Sequence, residues 1–169
     1  MATIVRAETA QQLGWARRLI EEYVASLPVD VSYEHVPEEC ARLPGEYAPP
    51  LGELLLAMEG GEPVGCVALR PMDRETCEMK RVYLRPAWRR RGIGRQLAES
   101  IIEAARRIGY RRMRLDTIPS LKPAIALYRS MGFRVIAPYR AIPTACAFFM
   151  ELSLAPQESS GKRGTSGIS

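Results

Sequence analysis

The stretch RRRGIGRQL, residues 89–97, sets three consecutive arginines before two glycines that are one residue apart. Glycines let backbone N–H groups approach a ligand closely, and the N-terminus of a following helix favours negative charge. Arginine side chains can also pair with phosphate oxygens. The stretch is therefore compatible with a nucleic-acid contact, a site for a small phosphate ligand, or a solvated basic turn, which is the usual outcome for a charge run taken alone.

The elements next to this stretch decide whether its glycines can serve a ligand. Residues Thr76–Leu84 have the pattern of a strand, and Pro86 stops it. From Gly92 onward apolar residues recur at helical spacing, and Gly109 stands where a left-handed residue commonly ends a helix. A strand, a glycine turn and a helix in this order are the context in which Gly-x-Gly holds a phosphate.

The rest of the chain alternates between strand and helix patterns. Thr9 and Gln12 have the spacing of a capping box at the start of a helix over residues 9–26. The turn Glu59 to Glu62 joins two apolar runs and predicts a β-hairpin. Further elements are expected as strands at 3–7, 110–118, 133–137 and 145–152, and as helices at 37–43 and 122–131. This order predicts an α/β domain with a mixed, mostly antiparallel sheet of about seven strands and helices on both faces.

Length and composition predict one domain and no metal site. The 169 residues suit a single core, expected over residues 1–154. Residues 155–169 are rich in Ser and Gly and predict a disordered tail. The four cysteines and single histidine show no metal-ligand spacing. No stretch approaches the roughly 20 apolar residues needed to cross a bilayer, so we expect a cytoplasmic protein without a membrane partner.

The net charge of +5 is unevenly distributed along the chain. Residues 1–60 carry a net charge of −6, residues 61–120 carry +7, and residues 121–169 carry +4. The acidic third includes an irregular loop with Glu34, Glu38, Glu39 and Glu46. This division predicts that the basic half holds an anion while the acidic loop attracts a cation. The alternative for the loop is a solvated acidic face.

Two motifs together resemble the GNAT superfamily of acetyl-coenzyme A dependent N-acetyltransferases. The family signature, Gln or Arg, two residues, Gly, one residue, Gly or Ala, is matched by Arg89 to Gly94. The segment AIALYRSMGF, Ala124 to Phe133, looks like the helix and strand that close the family's cofactor site. The resemblance covers roughly residues 75–135. It implies a GNAT-like domain that transfers an acetyl group from acetyl-CoA, as cosubstrate, to a primary amine.

The resemblance also assigns cofactor contacts. Three residues before the turn are expected to offer main-chain hydrogen bonds to the pantetheine arm: Val82, Tyr83 and Leu84. The turn itself is expected to surround the pyrophosphate with Arg89, Arg90, Arg91, Gly92, Ile93, Gly94 and Arg95. Many family members carry an asparagine where this chain has Leu121, so its polar contact is missing or comes from Ser120 or Ser130.

Two further residues match the family's catalytic positions. Glu78 lies 11 residues before Arg89, where many members carry a glutamate base. Its alternative role is that of a strand carboxylate paired with a neighbour such as Arg81. Tyr128, four residues before Gly132, matches a tyrosine that protonates the leaving sulfur, although packing is the alternative. His35, which has no obvious partner in the sequence, stays outside this catalytic set.

Other functions stay open at this stage. A cofactor-binding sensor without catalytic activity would keep the same motifs. A nucleic-acid-binding protein is disfavoured because the sequence contains no RNP-type or helix-turn-helix pattern. The acceptor is left as a small-molecule or peptide amine. The apolar run at residues 145–152 is compatible with a strand that extends across a homodimer.

Overall fold

The computed structural model describes residues 2–142 and 148–155. Its centre is a seven-stranded sheet with the strand order β1-β2-β3-β4-β5-β7-β6. Every neighbouring pair is antiparallel except β4 and β5, which run parallel. The strands are β1 Thr3–Arg6, β2 Glu53–Glu59, β3 Glu62–Pro71, β4 Thr76–Leu84, β5 Arg112–Thr117, β6 Arg134–Ile136 and β7 Phe148–Ser153. The predicted mixed, mostly antiparallel sheet is thereby confirmed.

Four α-helices cover the two faces of this sheet. They are α1 Ala10–Ser26, α2 Val36–Ala41, α3 Ile93–Ile108 and α4 Lys122–Ser130. Both halves of the predicted capping box are present, because Thr9 Oγ1 accepts from Gln12 N and the Gln12 side chain accepts from Thr9 N. Gly109 ends α3 in the left-handed conformation, as predicted. Three short 3-10 helices were not predicted: Ser32–Glu34, Gly45–Tyr47 and Pro86–Trp88.

The alternation of side chains along the strands divides the core into two clusters, one on each face. Leu97 and Ile101 of α3 pack with Leu55 and Leu69 on one face. Leu19 of α1 and Cys40 of α2 belong to the cluster on the opposite face. We call these the α3 face and the α1 face. Helices on both faces, as the sequence predicted, are therefore confirmed.

The sheet opens between its two parallel strands. Pairing of β4 with β5 is limited to Thr76–Arg112, Cys77–Met113 and Glu78–Arg114. Beyond Glu78, β4 pairs only with β3, and beyond Arg114, β5 pairs only with β7. The second half of each strand therefore borders a gap in the sheet. Main-chain groups of β4 that face this gap have no partner on β5.

A β-bulge lies in the part of β4 that borders this gap. Cys66 of β3 pairs with Tyr83 and Ala68 pairs with Lys80, so two residues of β4 oppose Val67 alone. Arg81, one of those two residues, has a φ of 59°. Bulges re-aim side chains, and here Lys80 and Arg81 both reach carboxylates on the α1 face. No feature of the sequence pattern predicted this bulge.

The described part of the apolar run at residues 145–152 belongs to β7. Strand β7 lies between β5 and β6, and its pairing with β6 covers Phe149, Met150 and Glu151. A strand that extends across a homodimer stays a prediction. Residues 143–147 and 156–169 lie outside the described part of the chain, and so does most of the predicted tail.

Candidate active site

A cavity occupies the gap between β4 and β5 and is lined from both faces of the sheet. From β4 it is bordered by Met79 to Val82, and from β5 by Leu115 and the residues that follow it. Side chains of α1 and the α1–α2 connection line its α1-face end: Tyr23, Leu27, Val29, Val31, Tyr33 and Glu34. Leu121, Ala124 and Tyr128 line it from the α4 side. Residues from both faces of the sheet thus border one cavity.

The arginine-glycine turn forms a bare helix N-terminus. Arg90 and Gly92 both have left-handed backbones, with φ values of 67° and 79°. Gly92 is the N-cap of α3, and no side chain caps the helix there. The first N–H groups of a helix have no partner within the helix. They are therefore available to an anion, whose charge the helix dipole also favours.

Gly94 keeps this helix N-terminus open. It lies in the first turn of α3, and a Cβ built there would meet no protein atom within 4 Å. Its φ is also outside the left-handed range, so neither packing nor backbone conformation requires a glycine. A glycine that neither packing nor backbone conformation requires is expected where a phosphate approaches the backbone closely.

The arginines of the turn are exposed and make few contacts with other side chains. Arg89 Nε donates to the carbonyl of Leu84 at 3.0 Å. The guanidinium of Arg91 lies 5.0 Å from the ring centre of Trp88. Arg95 Nη2 donates at 2.6 Å to Ser130 Oγ on α4. Arg95 Nη1 also lies 3.7 Å from Glu99 Oε1, whereas the contacts of Arg89 and Arg91 involve no carboxylate, so the turn retains positive charge that attracts an anion.

The three residues expected to contact pantetheine occupy the end of β4, next to this turn. Val82 lines the cavity. Tyr83 belongs to the α1-face core, where its ring lies 5.8 Å from that of Tyr23. Leu84 lies on the α3 face and its carbonyl accepts from Arg89. All three follow Glu78, the last residue of β4 paired with β5, which suits main-chain contacts.

Tyr128 lines the cavity from α4. Its side chain is buried, and its ring lies 5.6 Å from the Phe133 ring. Within residues 2–142 and 148–155 its hydroxyl makes no hydrogen bond. Burial raises the pKa of Tyr128 well above its ordinary value. The hydroxyl therefore carries a proton at neutral pH and has no described acceptor for it.

Glu78 lies behind the cavity rather than on its surface. The residue is fully buried, and it is not among those that line the cavity. Its Oε1 accepts from Arg70, with Nη2 at 2.8 Å, while Oε2 accepts from the Tyr139 hydroxyl at 2.7 Å and from Arg140. Burial alone would raise the pKa of Glu78, but Lys80, the Tyr139 hydroxyl and the two arginines hold it below the ordinary value.

The acidic loop supplies partners to basic residues of the sheet. Arg81 donates two bonds to Glu39, at 2.9 and 3.0 Å, and one to Glu34 at 2.6 Å. Lys80 Nζ donates to Glu34 at 3.1 Å, and Arg70 donates to Glu46 at 3.0 Å. The expected negative potential of this loop is therefore largely neutralised from within. Glu38 is exposed, as a solvated acidic face requires.

Three side chains near the cavity were not singled out from the sequence. Asp116 of β5 lines the cavity, and Tyr139 and Arg140 reach Glu78 from the segment after β6. The Tyr139 ring packs edge-on against Phe149 at 4.9 Å. A carboxylate near the end of β5, between Leu115 and Thr117, was the one available signal. Residues 139 and 140 lie 61 and 62 positions from Glu78, and nothing in the sequence links them to it.

The remaining candidates have local roles. Leu121 is the N-cap residue of α4, makes no capping hydrogen bond and lines the cavity with an apolar side chain. Ser130 Oγ already donates to the Leu127 carbonyl and accepts from Arg95. His35 joins the first 3-10 helix to α2 with a left-handed backbone. None of the helices within the described residues has the length and apolar character of a membrane span.

Comparisons with known proteins agree with this geometry. The model of the acetyltransferase (GNAT) family matches residues 16–133. An uncharacterised N-acetyltransferase of Schizosaccharomyces pombe is 36% identical over 154 residues, which cover 90% of this chain and 94% of the relative. An uncharacterised N-acetyltransferase of Escherichia coli, YjgM, is 31% identical over 79% of this chain and 83% of its own.

A solved structure supports the same fold. The acetyltransferase yncA of Salmonella typhimurium, solved with acetyl-CoA as its cofactor, superposes with a TM-score of 0.68. The match covers 92% of this chain and 95% of that protein, at 24% identity. The family match over most of the chain and the long alignments with named N-acetyltransferases therefore agree with the open sheet and the bare helix N-terminus described above. This chain belongs to the GNAT family of acetyltransferases.

Proposed function

We propose that this protein transfers the acetyl group of acetyl-CoA to a primary amine of a small molecule or a peptide. The observation that carries the proposal is the gap between β4 and β5, whose cavity is lined from both faces of the sheet and by Tyr128. The bare N-terminus of α3 is tied to α4, the helix of Tyr128, through the bond from Arg95 to Ser130. The candidate anion-binding turn thus lies beside a cavity that is lined by a tyrosine hydroxyl.

The residues present fit acetyl-CoA as cosubstrate. The N–H groups of Gly92 to Arg95 and the surrounding arginines would hold the pyrophosphate. The main chain of β4 from Val82 to Leu84, which has no pairing with β5, would hold the pantetheine arm along the gap. Bound acetyl-CoA supplies an activated acetyl group as a thioester. Placing that group within the gap would expose it to an amine that enters from the α1 face.

Tyr128 is proposed as the proton donor for the departing sulfur. Its raised pKa keeps the phenol protonated until the thiolate forms, and its hydroxyl has no competing acceptor within the described residues. The family resemblance points to Glu78 as the base, and this remains a prediction. Because Glu78 is fully buried, it would need an intervening water to reach the amine.

The first experiment tests whether the cosubstrate binds and reacts. Coenzyme A at about a hundredfold its dissociation constant should stabilise the fold by roughly 2.7 kcal/mol, a rise in Tm of about 5 to 10 °C. Acetyl transfer is then followed by thiol release across primary amines, amino acids, polyamines and short peptides. Binding without turnover would favour the sensor. A larger shift with a DNA duplex than with coenzyme A would favour nucleic-acid binding.

Tyr128→Phe tests the proton donor. Turnover should fall by about 10² or more at neutral pH, because the donor is lost while the ring and its packing remain. Tyr110→Phe is the matched control, since that hydroxyl donates to the Leu51 carbonyl and does not line the cavity. It should lower stability by about 1 kcal/mol and leave turnover unchanged. Wild-type turnover in Tyr128→Phe would make Tyr128 a packing residue.

A further inference from the structure

Three carboxylates lie around the α1-face end of the cavity, and their surroundings differ. Glu34 is hydrogen-bonded to Lys80 and Arg81, and Glu78 is bonded through both of its oxygens. The Asp116 side chain makes no hydrogen bond within residues 2–142 and 148–155. Its nearest charged partners, Lys80 Nζ and Arg140 Nη1, are each 3.9 Å from Oδ1. Asp116 is therefore the carboxylate with unused acceptor capacity.

Asp116 also lies where the amine that receives the acetyl group would enter the cavity. It follows Arg114, the last residue of β5 paired with β4, so it borders the gap. Its neighbours Leu115 and Thr117 point to the opposite face because side chains alternate along a strand. Its own side chain, 13% exposed, faces Lys80 at the α1-face end of the same cavity that Tyr128 lines.

We propose that Asp116 is the group that accepts the amine proton during acetyl transfer, and that Glu78 is a positioning residue. This inference rests on the proposed function. The amine nitrogen bonds to the acetyl carbon as the carbon–sulfur bond breaks. The proton leaving nitrogen passes to the Asp116 carboxylate, and Tyr128 protonates the sulfur. Exchange with solvent then removes the proton from Asp116 and restores that of Tyr128, leaving an acetamide and a free thiol.

The electrostatic surroundings of Asp116 suit this role. Burial raises the pKa of Asp116 above its ordinary value, and Glu78 and Glu34 add to that effect. Lys80 and Arg140 oppose it. Tyr23 of α1 and Tyr139, whose own pKa values burial raises, stay neutral near the carboxylate. A carboxylate with a raised pKa is a stronger base than one whose pKa is lowered, as that of Glu78 is.

Glu78 instead ties together the segments that surround Asp116. Its two oxygens connect Arg70 of β3 with Tyr139 and Arg140 after β6. Arg140 in turn lies 3.9 Å from Asp116. Loss of this carboxylate would leave two arginines without their buried partner. Removal of the Glu78 carboxylate should therefore shift the segments around Asp116 and lower the stability of the fold. It should not remove the base that titrates in the pH profile.

The kinetic test compares three matched carboxylate-to-amide variants. With acetyl-CoA and 2-phenylethylamine as the probe, Asp116→Asn should lower kcat by about 10² to 10⁴ and abolish the limb of the pH profile that reports the base. Glu78→Gln should lower the melting temperature and keep that limb. Glu103→Gln, on the exposed side of α3, should match the wild type.

A wild-type rate and pH profile in Asp116→Asn, or loss of the limb in Glu78→Gln alone, would overturn the proposal. A readout independent of the acceptor is NMR titration of carboxylates in the intact protein, assigned with the same variants. Asp116 should titrate above the ordinary aspartate value and Glu78 below the glutamate value. The opposite order would overturn the assignment. Failure of the proposed function is distinguishable, because it gives no thiol release with any amine while these titrations remain measurable.

Discussion

Two groups of basic residues lie fewer than ten positions apart on this chain. One group is exposed to solvent, and the other is buried and paired with carboxylates. The turn before α3 presents Arg89 to Arg91 to solvent beside uncapped N–H groups. Lys80 and Arg81 of β4, fewer than ten residues earlier, are buried and bonded to carboxylates of the acidic loop. The comparison shows that a charged residue serves a ligand or the fold according to its partners, which residue type alone does not reveal.

The cause of the difference is burial. Removing a charge from water costs several kcal/mol, so the cations of β4 must have internal partners, and they find them 42 to 47 residues away. The arginines of the turn stay hydrated and have no such requirement. Their charge and the open backbone next to them remain available to an anion. Neutralising each cluster in turn should therefore give different phenotypes.

The largest difference is expected between Arg81→Met and Arg90→Met. Arg81→Met removes the buried cation of Glu39 and leaves Glu34 with Lys80 alone, and it should lower the free energy of unfolding by about 3 to 5 kcal/mol. Arg90→Met changes an exposed side chain, so its free energy of unfolding should stay within about 0.5 kcal/mol of the wild-type value. The same variant should bind coenzyme A more weakly. Urea unfolding and calorimetric binding measure both. Equal stability losses would contradict the distinction between the two clusters.

The pH dependence of stability should also come from the buried cluster. Burial would raise the pKa of Glu34, but Lys80 and Arg81 lower it to about 2. A lowered folded-state pKa gives stability that is complete above the unfolded value and is lost as the pH falls towards 2. Glu34 should account for about 2 to 3 kcal/mol between pH 6 and pH 2.

Acid unfolding of two glutamine variants checks this assignment. Glu34→Gln should be less stable than the wild type at pH 6, and its stability should fall less steeply between pH 5 and pH 2. Glu38→Gln changes an exposed carboxylate of the same loop and should follow the wild-type curve. Parallel curves for the wild type and Glu34→Gln would mean that other carboxylates carry the acid sensitivity.

The smallest effect is expected at Gly94, where one substitution should raise stability and weaken the binding of coenzyme A. Gly94→Ala adds a methyl group where no protein atom lies within 4 Å, so the helix should gain about 0.5 to 1 kcal/mol. The same methyl group would obstruct the approach of a phosphate, and coenzyme A should bind about tenfold more weakly, or 1.4 kcal/mol. Gly14→Ala in α1, also free of contacts, should give the helix gain without the binding loss. Unchanged affinity in Gly94→Ala would place the pyrophosphate elsewhere.

Much of the fold was predictable because its signals are local. The capping box of Thr9 and Gln12, the hairpin turn near Gly60 and the left-handed Gly109 each depend on residues within a few positions of one another. The candidate phosphate turn is of the same kind, since strand, glycines and helix are contiguous. The bulge at Arg81 was not predictable, because it depends on how β3 and β4 align and on carboxylates that approach from the acidic loop.

The sequence by itself determined the order of strands and helices, the turn at residues 89–94 and the family resemblance. Only the tertiary structure decided which carboxylates are saturated and which one borders the gap. Glu78 and Asp116 are both acidic residues on strands, yet one is surrounded by Arg70, Tyr139 and Arg140, while the other lines the cavity without a hydrogen bond from the described residues. Hydrogen bonding and burial depend on segments that are distant in sequence, so the chemistry of each carboxylate is a property of the folded chain.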